Sequence, residues 1–474
     1  MSKQADIGVI GLGVMGAALA RNFHSRGLVV ATWNRETDMA EAFTARHGDD
    51  RFVSSPTLGE FVQSLETPRR IIVMVTAGRP VDLVLEALAP HLGADDIVVD
   101  GGNTFFRDTV RRDEWCRARG FRFVGMGVSG GEEGALKGPA MMPGGDVEAW
   151  QRLRPVLELA CARSEHGPCV DHCGAGGAGH YVKMVHNGIE YADMQIISEI
   201  WTLLAGGLGV TGKAAADVFA AWNETELRSY LVEVTALVLS VQDPQTGGPL
   251  VDQILDAAGQ KGTGRWTVEQ GLELGIPVPT LAAAVDARGV SSNLAARRHG
   301  ASIFGARGAA AIAGLEVGDL RKAFYAARLA SYSQGFQLLQ AASSAHGFGA
   351  NLAAVSRIWT AGCILRAALL DRLYAALVRD AKLELLHHDP DLAASLAETL
   401  PALRKTVARA TEAGYAIPCL SSALNWLDGM ATARGSAALI QAQRDCFGAH
   451  TYKRVDAPDV AVHSLWAEMP KLVA

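Results

Sequence analysis

The sequence predicts an α/β doubly wound N-terminal domain followed by a large all-α domain and a C-terminal tail. Three changes of texture carry that reading. From residue 5 to about 178, short apolar runs alternate with helical patterns, as parallel strands covered by helices require. From about 180 to 435 the chain turns to long Ala/Leu-rich helical segments with few strand-like runs. Beyond that it becomes more polar, with Arg, His and Tyr concentrated between Gln441 and Arg454. The expected division is therefore 1–178, 179–435 and 436–474. Within the first part, Ile7–Ile10, Val29–Trp33, Ile71–Val75, Ile97–Val99 and Phe121–Val124 read as strands. They are continuously apolar because a parallel sheet is buried on both faces. Asp82–Leu92 and Arg107–Arg119 supply amphipathic helices between them, and glycine clusters at 174–179 and 259–264 mark turns.

Composition narrows the function classes. The 474 residues suffice for two or three domains at roughly 100–200 residues each. Lys and Arg number 44 against 50 Asp and Glu, a formal charge of −6, so nothing draws the chain toward nucleic acid or an anionic membrane. With 49% hydrophobic and 20% charged residues, intrinsic disorder is excluded, and the low charge predicts surface buried in an oligomer. Seven scattered cysteines, an odd number, argue against a disulfide framework and for a reducing cytoplasm. No uncharged apolar run reaches the ~20 residues that span a bilayer. The stretch Ile7–Ala20 imitates a signal peptide only loosely, since its glycines have another explanation.

That explanation is a dinucleotide. Ile7–Ile10 leads straight into Gly11-Leu12-Gly13-Val14-Met15-Gly16, followed by a helical stretch to about Arg26. Strand, G-x-G-x-x-G and helix in this order form the context the motif needs. Gly11 permits the tight turn, Gly13 lets a pyrophosphate approach the backbone, and Gly16 lets helix and strand pack closely. The helix N-terminus then faces the phosphates. The alternative is a glycine-rich turn without a ligand. The second strand runs into Asn34-Arg35-Glu36-Thr37. Arg35 can pair with a 2′-phosphate, which favours NADP, whereas Glu36 could repel that phosphate or accept a ribose diol, which keeps NAD open.

A second constellation shares one helix. Lys183, His186, Asn187, Glu190 and Tyr191 stand at i, i+3, i+4, i+7 and i+8, the spacing that normally carries an apolar stripe. The positions between them, Val182, Met184, Val185 and Ile189, are apolar, so the helix is buried on most sides and its polar stripe faces a cleft. Desolvation would lower the lysine pKa and raise the glutamate pKa, suiting one as base and the other as acid. The competing reading is a solvated face with a Lys–Glu pair.

Two glycine-rich segments are ambiguous. Val128-Ser129-Gly130-Gly131-Glu132-Glu133-Gly134, ahead of Gly138-Pro139 and Met141–Gly145, is either an amide nest for an anionic substrate or a structural loop. Gly259-Gln260-Lys261-Gly262-Thr263-Gly264-Arg265-Trp266 is either a phosphate contact or a plain turn, and it lacks P-loop spacing. His166, Cys169, His172, Cys173 and His180 crowd together without the second cluster of a structural zinc site. No metal is expected.

Four motifs in order then carry a resemblance. They are Gly177–Gln195, V-S-G-G-E-E-G, A-G-Q-K-G-T-G-R-W-T at 258–267 and Q-A-Q-R-D-C-F-G-A-H-T-Y at 441–452. Together they resemble the decarboxylating 6-phosphogluconate dehydrogenases across essentially the whole chain. The resemblance implies that 6-phosphogluconate and NADP⁺ give ribulose 5-phosphate, CO₂ and NADPH. It also implies a homodimer, a Rossmann-like first domain, and a C-terminal tail penetrating the partner subunit. Carried over position by position, Lys183 is the general base and later stabilises the keto oxygen, so that no metal is required, and Glu190 is the acid. Gly11, Gly13, Val14, Met15, Gly16, Asn34, Arg35, Glu36, Val75, Thr76, Ala77 and Asn103 match the cofactor positions. Asn103, Ser129, Gly130, Gly131, His186 and Asn187 match positions around the sugar acid. Tyr191, Lys261, Thr263 and Arg288 match the phosphate site, completed by Arg444 and His450 of the partner subunit.

The sequence departs from the family's usual pattern in places. Glu36 replaces a small hydroxyl residue, Thr76 a lysine, and Thr104-Phe105-Phe106 a Ser-Glu-Tyr run. Cys446 replaces an aromatic residue, and Trp359-Thr360 stands for Trp-Arg. The changes at Glu36 and Thr76 touch the choice between NADP and NAD. Two rivals remain: a β-hydroxyacid dehydrogenase of the 3-hydroxyisobutyrate type, and a non-catalytic sensor of NADP or a metabolite. Lys261, Arg288, Arg444 and His450 argue against the first, because an unphosphorylated acid offers them nothing to bind. Lys183 and Glu190 argue against the second.

Overall fold

The computed structural model describes residues 4–308 and 310–470, in two compact units, Met1–Leu424 and Asn425–Ala474. The first unit opens with a seven-stranded sheet of order β3-β2-β1-β4-β5-β6-β7. Its strands are β1 (Ile7–Ile10), β2 (Val30–Trp33), β3 (Phe52–Ser54), β4 (Arg70–Val73), β5 (Ile97–Asp100), β6 (Arg122–Ser129) and β7 (Ala140–Gly145). The first six are parallel. The order reverses at β1 and β4, the switch point of a doubly wound dinucleotide fold. Helices α1 (Val14–Ser25), α2 (Thr37–His47), α3 (Leu58–Gln63), α4 (Arg79–Leu88), α5 (Phe106–Arg117), α6 (Gly131–Lys137) and α7 (Val147–Ala160) connect the strands.

Alternation along each strand builds two cores, one per face. Ile7, Val9, Ile72, Val99 and Met126 pack with Leu19, Phe23 and Trp150. Ile10, Ile71, Val73, Val98 and Phe123 pack with Phe61 and Leu85 on the other side. This burial on both faces is why the strands read as unbroken apolar runs.

The sheet differs from the sequence reading at two strands. β3 is three residues long and pairs with β2, too short to show a pattern. β7 lies antiparallel to β6, from Val124↔Gly145 to Ser129↔Ala140. Met141–Gly145 is therefore a buried strand and not part of an amide-bearing loop. Its Pro and Gly content, unusual in strand interiors, hides it in the sequence. Of that reading, Gly130 before α6 and Gly138-Pro139 after it remain outside helix and strand, with Gly130 and Gly138 at positive φ, 126° and 152°.

A two-residue ribbon, β8 (Arg163–Ser164) with β9 (Gly167–Pro168), precedes the helical region. That region comprises α8 (Ala178–Thr202), α9 (Gly212–Trp222), α10 (Tyr230–Ser240), α11 (Thr263–Leu274), α12 (Pro279–Ser292), α13 (Leu294–Phe304), α14 (Val317–Ala345), α15 (Leu352–Trp359), α16 (Ala368–Arg379), α17 (Pro390–Glu412) and α18 (Pro418–Met430). The start of α8 packs on β6 and β7, and its length packs on α11, α12 and α14. A buried ion pair fastens it, Arg328 Nε to Asp193 Oδ1 at 2.8 Å.

The second unit holds α19 (Ala437–Gly448) and an antiparallel hairpin of β10 (Tyr452–Arg454) and β11 (Ala457–Val462). Asp445 is fully buried there. Its carboxylate accepts from the backbone amides of Thr451 and Ser464, from Trp466 Nε1, and pairs with His463 Nδ1 at 2.9 Å. These donors hold the Asp445 carboxyl at about 2 against the opposing effect of burial.

Candidate active site

The sequence-predicted cofactor residues gather at the C-terminal ends of β1, β2, β4 and β5. At Gly11 (φ +93°) a Cβ would lie 2.6 Å from the Met74 carbonyl oxygen, and at Gly16 one would lie 1.9 Å from that of Gly11. Only glycine permits this close turn. Gly13 has nothing within 4 Å of where a Cβ would stand, and as N-cap of α1 it brings no side-chain cap. The amides of the first turn, beginning at exposed Val14 and half-buried Met15, are thus available to an anion. The Leu12 amide donates to Asn34 Oδ1 at 2.9 Å, and Asn34 Nδ2 donates to Glu36 Oε2 at 3.1 Å. Arg35, 83% exposed, donates through Nε to Glu36 Oε1 at 2.9 Å. That hydrogen bond is the chief reason the Glu36 carboxyl lies below its ordinary value. Val75, Thr76 and Ala77 follow β4, and exposed Asn103 follows β5. Open amides with an exposed guanidinium at the end of β2 fit a dinucleotide bearing a 2′-phosphate.

The second cluster sits on α8, and its seat is a close approach. A Cβ on Gly127 of β6 would meet Lys183 Cβ at 2.3 Å and Cγ at 2.8 Å, so a bare strand backbone is what lets the lysine stem lie against the sheet. Lys183 is 6% exposed; the stripe is not a solvated face. Its Nζ lies 3.3 Å from His186 Nδ1. The His186 Nε2 faces Ser129 Oγ at 3.2 Å, and Asn187 Oδ1 lies 3.2 Å from Nδ1. Glu190 Oε2 stands 3.7 Å from His186 Nδ1.

Burial sets the electrostatics. It pushes the Lys183 amine below its ordinary value, against the pull of the Glu190 carboxylate. It pushes Glu190 up, against Lys183 and Arg288. Burial, then the Lys183 charge, holds His186 well below the usual histidine value, so the ring is neutral at physiological pH. A lowered amine and a raised carboxyl within one turn or two of helix suit proton transfer in both directions.

Beyond Glu190 the stripe meets cationic residues. Tyr191 presents its ring to the Arg288 guanidinium at 3.5 Å and its hydroxyl accepts from the Lys261 amide at 3.4 Å. Arg288 Nη1 donates to the Gly259 carbonyl at 2.9 Å. Thr263 opens α11 behind Gly262, whose φ is +92°. Thr267 Oγ1 donates to the Met184 carbonyl at 2.8 Å, which ties α11 to α8. Arg444 and His450 are exposed residues of the second unit.

The sequence marks this neighbourhood only at Trp359-Thr360, as a departure from the family's pattern. In the structure, Trp359 meets the His186 ring edge-on at 5.4 Å. The Cys363 thiol, which burial pushes up to about 12, feels the Lys183 charge. The Ile364 amide donates to Ser129 Oγ at 3.5 Å. Of the histidine–cysteine cluster, Cys169 and Cys173 are buried thiols, His172 bonds the Gly145 carbonyl, and His180 bonds Thr109. His166 instead joins Glu165 and Asp371.

Comparison with known proteins agrees with this geometry. Residues 6–174 match the NAD binding domain of 6-phosphogluconate dehydrogenase, and residues 179–466 match that enzyme's C-terminal domain. The chain is 46% identical to a decarboxylating 6-phosphogluconate dehydrogenase of Synechocystis sp., over 97% of this chain and 96% of the other. It is 44% identical to the NADP(+)-dependent, decarboxylating enzyme of Bacillus subtilis, over 98% of this chain and 100% of that one. The solved Plasmodium falciparum 6-phosphogluconate dehydrogenase, described in apo form and with NADP+ or 6-phosphogluconate, superposes with a TM-score of 0.94 at 39% identity. The match covers 97% of this chain and 100% of that one. With a dinucleotide turn, a buried lysine–glutamate helix and matches that run its whole length, the chain belongs to the 6-phosphogluconate dehydrogenase family.

Proposed function

We propose that the chain oxidatively decarboxylates 6-phosphogluconate to ribulose 5-phosphate and CO₂ with NADP⁺, the oxidative step of the pentose phosphate pathway. The observation that carries it is the pairing on α8 of a lowered amine and a raised carboxyl beside the Arg288 guanidinium, which lies over the Tyr191 ring. Tyr191, Lys261, Thr263 and Arg288 hold the phosphate, which presents a dianion to two cations and a helix N-terminus. Asn103, Ser129, Gly130, Gly131, His186 and Asn187 orient the sugar acid. Neutral Lys183 takes the proton of the 3-hydroxyl. NADP, when bound by Gly11, Gly13, Val14, Met15, Gly16, Asn34, Arg35, Glu36, Val75, Thr76, Ala77 and Asn103, supplies the hydride acceptor that oxidises C3. Protonated Lys183 then donates to the new carbonyl oxygen, which draws the electron pair of the C1–C2 bond as CO₂ departs. Glu190 returns a proton to the carbon that has lost CO₂.

We extend the proposal to assembly. Residues 1–178 serve the cofactor, 179–435 the substrate and the dimer contact, and 436–474 form a tail that brings Arg444 and His450 to the site of a second copy. Support comes from α19, whose Leu439, Ile440 and Phe447 are 66%, 56% and 77% exposed. Seven free cysteines, six of them buried, support a reducing cytoplasm. No helix among the described residues is long and apolar enough to cross a membrane.

Two assays decide these points. Reduced cofactor and CO₂ should appear together with 6-phosphogluconate, not with gluconate or 3-hydroxyisobutyrate, and vanish in Lys183→Met. Equal turnover of gluconate refutes the phosphate assignment. Refolding a mixture of Lys183→Met and His450→Ala, each inactive alone, should restore activity through mixed dimers, and a mixture that stays inactive rules out tail exchange.

A further inference from the structure

The cofactor loops after β4 and β5 share one buried cation. Arg112 of α5 is 1% exposed. Its Nη2 donates to the Gly78 carbonyl at 2.8 Å, and its Nε to Asp82 Oδ1 at 2.8 Å. Gly78 closes the loop that carries Val75, Thr76 and Ala77, and Asp82 stands in the first turn of α4. Its Nη1 reaches Asp100 Oδ2 at 3.4 Å. Asp100, the last residue of β5 and fully buried, in turn shapes the loop that carries Asn103. Its Oδ1 accepts from the Gly102 amide at 3.0 Å and its Oδ2 from Thr104 Oγ1 at 2.7 Å. One turn before Arg112 on the same buried face, Thr109 Oγ1 lies 2.7 Å from Nδ1 of His180 in the first turn of α8. The helix α5 therefore fastens the two cofactor loops at one point and the catalytic helix at the next.

We propose that Arg112 is a positioning residue that sets the 75–78 and 100–104 loops in the one relative arrangement that receives NADP. The inference rests on the assignment of Val75, Thr76, Ala77 and Asn103 to the cofactor. Only a planar fork can satisfy a carbonyl and two carboxylates on three sides at once. A buried charge network is poor evidence for stability, and its use here is to make one loop arrangement the only fully hydrogen-bonded one. Without it the loops sample arrangements in which Asp100 and Gly78 find other partners, and apparent affinity falls by the fraction that remains competent.

The test uses Arg112→Lys, which keeps the charge and loses the fork, and Thr104→Val, which removes one hydroxyl from Asp100 at constant volume. Calorimetric titration measures NADP⁺ and, separately, 6-phosphogluconate on the full chain without turnover. If the competent fraction drops to about a tenth, Arg112→Lys binds NADP⁺ about tenfold more weakly. Its 6-phosphogluconate affinity, which depends on these loops through Asn103 alone, should fall less than its NADP⁺ affinity, and Thr104→Val should show a smaller loss of NADP⁺ affinity. An unchanged NADP⁺ affinity in either folded variant overturns the proposal, as does an equal loss for both ligands, which marks general unfolding. Should Arg112→Lys not fold, Thr104→Val decides alone. A wild-type chain that binds no NADP⁺ refutes the cofactor assignment itself, so the two failures are distinguishable.

Discussion

Replacing Arg328 with methionine strips α8 of a buried counter-charge three residues beyond Glu190. In the native chain Arg328 donates to Asp193 Oδ1 (2.8 Å), to the Leu227 carbonyl (3.2 Å) and to Ser229 Oγ (3.1 Å). Both side chains of the pair are at most 2% exposed. The truncation leaves an uncompensated buried carboxylate, which costs about 3–5 kcal/mol. Adding Asp193→Asn removes that charge. It should recover part of the loss; the Leu227 carbonyl, left without the Arg328 donor, accounts for about 1–3 kcal/mol of what remains. Urea unfolding followed by tryptophan fluorescence measures the cycle. The pH dependence supplies a second check. Burial raises the Asp193 carboxyl, and Arg328 opposes the rise. Without Arg328 the folded value climbs further above the unfolded one. The variant's deficit should be smallest below the ordinary carboxylate range and grow as pH rises through the raised value. A single variant that loses under about 1 kcal/mol, or a double variant no better than the single, would refute the reasoning.

Three further outcomes are expected. Gly127→Ala drives a methyl into the Lys183 stem, so it should cost about 1–3 kcal/mol of stability and lower kcat while calorimetric NADP⁺ affinity stays unchanged. Glu36→Ser frees Arg35 from its intramolecular partner and removes a carboxylate near a 2′-phosphate. The ratio of kcat/KM for NADP⁺ over NAD⁺ should rise, and a fall would show that Glu36 helps bind the phosphate. The pH profile of kcat/KM should be a bell. Its rising limb comes from Lys183 below the ordinary lysine range, and its falling limb from Glu190 above the ordinary glutamate range. Lys183→Arg, whose guanidinium does not deprotonate, should abolish the rising limb along with activity.

Much of the fold is legible because its signals are local. The strand–turn–helix at Gly11–Gly16 needs only adjacent residues, and the stripe from Lys183 to Tyr191 needs only a period of 3.6. The five expected strands are present in the sheet, the first with its ends as expected, three with slightly moved ends and the fifth extended from Val124 to Ser129, since each contains an apolar run. What stays hidden is long-range or atypical. β7 is disguised by Pro143, Gly144 and Gly145, and its partner is set by packing against α8. Arg112 resembles any charged residue of an amphipathic helix, because Gly78, Asp82 and Asp100 reach it only through the fold. The room that Gly127 leaves for Lys183 is likewise invisible, since the two residues meet across a sheet and a helix.

The Asp445 carboxylate has a kinetic consequence. Four donors spread over residues 451–466 converge on it, so the second unit takes its shape from contacts within itself. In the dimer proposed above, a partner copy would meet a surface already in order and would not have to arrange it during encounter. Association of such surfaces is a collision between bodies, with rate constants of about 10⁵–10⁷ M⁻¹s⁻¹ and no concentration-independent lag. Dilution and remixing should give simple second-order assembly, and Asp445→Asn should introduce a slow first-order phase before it.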